Sequence, residues 1–131
     1  MNWKLIIQLS MFGLIMAFGT ISLIPEKVEF IFWVVIFAVV AYIIAKVCTG
    51  KYFAHGFFVS IFNSIYLTAT HTIFLTSYNA HHPDMAKMMP KDNHTILFMI
   101  LIGIASGIGF GVFQGLFAFI ASKLVKPKVS L

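Results

Sequence analysis

Ser60, Asn63, Ser64, His71, Tyr78 and Gln114 are the polar side chains that stand out within long apolar runs. At about 100° per residue the first five fall within a stripe roughly 100° wide, although Leu67 and Phe74 interrupt it. Serine and threonine hydroxyls bond back to carbonyls of their own helix and need no other partner. Asn63, His71 and Gln114 do so poorly, and an unpaired amide or imidazole is costly in an apolar medium. Two uses follow. One is structural: on antiparallel helices Asn63 and Gln114 lie at similar depth and would satisfy each other. The other is a polar path in which His71, whose imidazole titrates near neutrality, responds to protons or touches a solute. His55 lies too far along the helix to pair with His71 around a haem.

A second cluster runs from His81 to His94, with His81, His82, Met85, Met88, Met89 and His94 inside fourteen residues. Thioethers favour Cu(I), and imidazoles suit copper and zinc, so these six are candidate ligands for an external metal. Their spacing matches no fixed ligand pattern, and the competing reading is an interfacial loop. No resident cofactor is expected. Asp84 and Asp92 are placed to cap short helical turns.

The elements that position these groups are membrane spans. A bilayer needs about 20 apolar residues per helix, and four stretches supply them: roughly 5–24, 28–47, 54–77 and 95–122, with an outer loop at 79–94. The first has Lys4 before it like a signal peptide. It is too long for one, however, and Met16–Gly19 offers no good cleavage site, so it is expected to be retained. With 60% hydrophobic and 10% charged residues, the chain reads as one integral membrane domain spanning 1–131. The fold class expected is all-α, a transmembrane antiparallel four-helix bundle, because short turns make successive helices neighbours.

Gly103, Gly107, Gly111 and Gly115 repeat at i+4 along the fourth span. Interior glycines cost about 1 kcal/mol each in a helix relative to alanine, whereas in lipid they let two backbones approach closely. The fourth helix is therefore expected to be a glycine zipper, packing either within the bundle or against another subunit. Ser10, Gly13 and Ala17 on the first span, with Ala38, Ala41 and Ala45 on the second, offer similar seams.

All nine basic residues are lysines. Lys4, Lys46, Lys51, Lys123, Lys126 and Lys128 fall on one side of the membrane. Lys27, Lys87 and Lys91 fall on the other, with the four acids Glu26, Glu29, Asp84 and Asp92. The positive-inside rule places both termini in the cytoplasm. The net charge of +5 follows from topology and gives no reason to expect nucleic-acid binding. Trp3 and Tyr52 sit at the inner boundary and Trp33 and Tyr78 near the outer one, as interfacial anchors do.

Enzymatic chemistry is not expected. The single cysteine, Cys48, excludes an internal disulfide or CxxC pair, and no phosphate-binding loop, serine-hydrolase elbow or zinc-protease helix is present. The acids lie in outer loops or at helix ends, away from any buried acid–base role.

The segment Gly50-Lys-Tyr-Phe-Ala-His-Gly-Phe-Phe-Val-Ser-Ile-Phe-Asn-Ser64 and the ending Gly115-Leu-Phe-Ala-Phe-Ile-Ala-Ser-Lys123 resemble a family of small uncharacterised bacterial four-span inner-membrane proteins. That resemblance implies a multi-pass protein of the cell inner membrane and carries over no catalytic residue. The reading is a non-enzymatic membrane component whose partners are the lipid bilayer and a homo-oligomer or larger membrane partner. The alternative is a small-solute or ion transporter or channel using the polar face of the third span.

Overall fold

The computed structural model describes residues 1–125; Lys126 and Lys128, expected on the terminal side, lie outside the described residues. The chain is all-helical: α1 (Trp3–Ser22), α2 (Glu26–Val47), α3 (Tyr52–Ile73), α4 (Leu75–His81), α5 (Pro83–Met88) and α6 (Thr95–Leu124). Trp3–Ile21, Lys27–Val47 and Thr95–Leu124 are each long and apolar enough to cross a membrane; α3 joins them only when taken together with α4.

Local chemistry sets the boundaries. Asn2 caps α1, its side-chain oxygen accepting from Leu5 N at 3.1 Å, which satisfies one of the free N–H groups of a helix start. Gly19 O closes the other end by accepting from both Leu23 N and Ile24 N. Pro25 then sets the entry to α2, with φ −62° and no amide hydrogen to lose. Gly50 is not the left-handed residue of the next turn. The chain leaves α2 in extended form at Cys48, and Lys51 takes the left-handed conformation at φ 53°.

The third span departs from the expected straight run to residue 77. Helix α3 stops at Ile73, and α4 leaves it at 97°. Across the bend the rings of His71 and Tyr78 stack, with centroids 4.0 Å apart. Seven residues of continuous helix would separate them by about 10.5 Å along the axis, so the contact requires the chain to fold back. The 79–94 region is likewise not a plain loop. It holds the end of α4 and all of α5, which starts with Pro83 in its first turn and has Asp84 and Lys87 at ends matching the helix dipole.

Helix α3 is the central element, packed between α1 and α6, and α2 lies against α6. The four glycines of α6 face α3. A Cβ on Gly103 would crowd Thr68, one on Gly107 Ser64, one on Gly111 Phe57 and one on Gly115 Phe53. Gly56 of α3 answers them: its Cβ would stand 2.5 Å from the Gln114 carbonyl oxygen. The hydroxyl of Ser64 donates to Gly103 O across this seam. Ser10, Ala17, Ala41 and Ala45 are buried, while Ala38 is exposed and off the seam. Outward faces of α2 and α6 carry Phe30, Ile31, Ile104, Phe113 and Ile120 in the open, an arrangement suited to lipid contact.

Two apolar clusters occupy opposite ends. At the end holding the N-terminus, Ile6, Leu9, Val40, Ile44, Cys48, Val59 and Ala118 form the main core. At the end capped by α4 and α5, Tyr78, Met89 and Met99 form a smaller one, with Leu75 and Phe98 against it.

Candidate functional site

Between these clusters lies a cavity of about 400 Å³, walled by α2, α3 and α6 and roofed by Tyr78 and Met89. The spacing on α3 creates its polar wall: Ser60, Asn63, Ser64, Thr68 and His71 stand at i, i+3, i+4, i+8 and i+11 and so share one broad face. The opposite walls are mostly aromatic, with Trp33 and Phe37 from α2 and Phe110 from α6. Phe37 sits edge-on to both, with centroids 6.1 Å from each. Of the six polar residues singled out by sequence, five line this space; Gln114 does not.

Gln114 and Asn63 are not bonded to each other. Gln114 is fully buried, and its Nε2 donates to Phe37 O at 3.2 Å. Asn63 instead lies over Gly13 of α1. Similar depth did not suffice, because the two amides point around their helices in different directions. Both amide atoms of Asn63 and the Gln114 Oε1 are buried with no hydrogen-bond partner among the described residues.

A connected series of side chains runs along the cap end of the cavity. His71 Nε2 is 2.8 Å from Thr20 Oγ1, which is also 3.3 Å from Ala17 O. The ring of Tyr78 stacks between His71 and His82, 4.0 and 4.1 Å away. His82, 1% exposed, donates from Nδ1 to Tyr78 O at 3.1 Å. Its Nε2 then faces Glu29 Oε2 at 3.5 Å, too far for a hydrogen bond. Trp33 Nε1 donates to the other Glu29 oxygen at 3.3 Å. Sequence reasoning missed Thr20, Glu29 and Trp33 as members of the site. The available signal was the i,i+4 spacing of Glu29 and Trp33, which puts a carboxylate and an indole on one face.

The proposed metal ligands divide between buried and exposed positions. His82 and Met89 turn inward, whereas His81, Met88 and His94 are exposed. His81 Nδ1 bonds Ser77 O, and His94 pairs with Asp92 at 3.2 Å. Met85 lies on α5. Among the described residues no three His, Cys, Asp or Glu side chains gather as a metal site does. His55 is structural: its Nδ1 is 2.8 Å from Lys51 O, and its Nε2 accepts from Asn2 N at 3.0 Å. That tie holds the start of α1 to the start of α3.

The arrangement gathers hydroxyls, an imidazole, a carboxylate and aromatic surface around one partly open cavity, as small-molecule sites commonly do. Comparison of the chain with protein-family models, with curated proteins and with solved structures finds no match.

Proposed function

We propose that the chain is a four-span protein of the cell inner membrane, with both termini cytoplasmic, that binds a small solute in the cavity on its outer half and helps it across. It acts without catalysing a reaction. The observation that carries this reading is the coincidence of the polar face of α3 with the cavity. Polar groups at membrane depth are expensive and usually line a water-filled or ligand-filled space. A protein needing α3 only as a strut would gain from an apolar face there.

The competing reading, an oligomeric structural or interaction component, rested on the glycine face of α6. That face is already occupied by Thr68, Ser64, Phe57 and Phe53 of α3, which leaves a partner little of it to use. The apolar clusters at the two ends bound this cavity on either side.

Cysteine accessibility tests the proposal. Single cysteines at positions 60, 63, 64, 71 and 78, in a Cys48→Ala background, would be treated with membrane-impermeant thiol reagents from each side. Labelling from the outside down to 63 or 64 is expected. Protection of every position deeper than 78 would instead mean a sealed polar seam and would return the structural reading to first place.

A further inference from the structure

We infer that the solute is a primary ammonium carrying an aromatic or apolar body, held by the Glu29 carboxylate beside the aromatic wall of the cavity. This rests on the reading of the cavity as a solute site. Trp33 donates a hydrogen bond to one oxygen of the Glu29 carboxylate. The second oxygen faces His82 Nε2 at 3.5 Å. Because His82 Nδ1 already donates to Tyr78 O, the neutral ring presents a lone pair at Nε2. The neutral imidazole therefore leaves that oxygen without a donor; the ring is 1% exposed and does not line the cavity, so the carboxylate alone meets a solute. A proton on Nε2 closes that gap with one donor. An R–NH₃⁺ group in the cavity has three donors, and it bonds the carboxylate while neutralising its charge.

The rest of the cavity suits the body of such a molecule. Trp33, Phe37 and Phe110 supply aromatic surface that attracts a cation and packs against an apolar chain. Lysine is absent from the lining residues, so an anion finds no counter-charge there. A volume of about 400 Å³ lies at the small end of ligand pockets, which run from about 300 to 1,000 Å³.

The test compares tyramine with 4-propylphenol, in which a methyl replaces the ammonium, by calorimetric titration into the protein in lipid nanodiscs, with empty nanodiscs as the blank. Tyramine is expected to bind at least about tenfold more tightly. Glu29→Gln should bring the two compounds to parity, and Phe37→Leu should weaken tyramine more than the phenol. The wild-type comparison needs no variant to fold. Equal affinities in the wild type, as when a proton on His82 alone closes the pair, would overturn the inference. So would failure of tyramine to bind, or a preference that survives Glu29→Gln. If cysteines at 63 and 64 label from outside while tyramine shows no preference, only the ammonium inference falls. If they are protected as well, the solute site itself falls.

Discussion

The Asn63 carboxamide lies directly over Gly13: a Cβ on residue 13 would stand 2.5 Å from Asn63 Cγ. Real Cβ atoms do not approach a neighbour that closely, so α1 and α3 meet here only because residue 13 is glycine. Gly13→Ala is expected to destabilise the protein by about 1–3 kcal/mol through overpacking. Gly109→Ala is the control, since its Cβ would meet nothing within 4 Å. It should be neutral or stabilising by up to about 1 kcal/mol. Thermal denaturation of both variants in one detergent checks the contrast, and equal losses would refute it.

Asn63→Leu should act in the opposite direction. Leucine has a similar branched shape and removes two buried amide atoms that have no partner among the described residues. An unmet buried polar group costs about 1–3 kcal/mol, so the variant is expected to melt higher than wild type. Its tyramine affinity should fall or stay flat. A variant that melts lower would show that the amide is satisfied in the membrane and that its role is structural.

Long helices were legible in the sequence because apolar runs of about 20 residues have few other uses. The polar wall was legible too: Ser60, Asn63, Ser64 and His71 share a face through helical periodicity alone. The bend at Phe74 was not, because neither proline nor glycine marks it, and the His71–Tyr78 stacking that accompanies it is a contact between side chains. Glu29 read as a boundary acid, since sequence gives a residue's height in the membrane only to within a turn. Gln114 was placed at the right height and paired with the wrong partner. Height along two helices does not say which way each side chain points, and the packing of α2 on α6 brought Phe37 O within reach first.

Thr20 and His71 join α1 to α3 by a 2.8 Å hydrogen bond. Valine keeps the shape of threonine without its hydroxyl, so Thr20→Val leaves the His71 Nε2 without that partner. The expected loss is about 1–3 kcal/mol. Thr20→Ser, which retains the oxygen, should stay within about 1 kcal/mol of wild type. Denaturation of the pair separates the hydrogen bond from packing: a loss in Thr20→Ser with none in Thr20→Val would assign the effect to the methyl group instead.

Cys48 shares the core cluster with Ile6, Leu9, Ile44 and Val59. Burial pushes its thiol up, more strongly than the N-terminal ammonium pulls it down. The thiolate is the reactive form, so the folded protein should react far more slowly with a soluble maleimide than a free thiol does at neutral pH. The sign of the linkage follows. With the folded value above the unfolded one, the contribution to stability is intact below the unfolded pKa and declines as pH rises past it. Labelling is therefore expected to track unfolding in a denaturant series, and melting temperature should drop on the alkaline side by more in wild type than in Cys48→Ala. Rapid labelling of the folded protein at neutral pH would show that the core around the termini opens on its own. The lower boundary of the cavity would then be a gate rather than a seal.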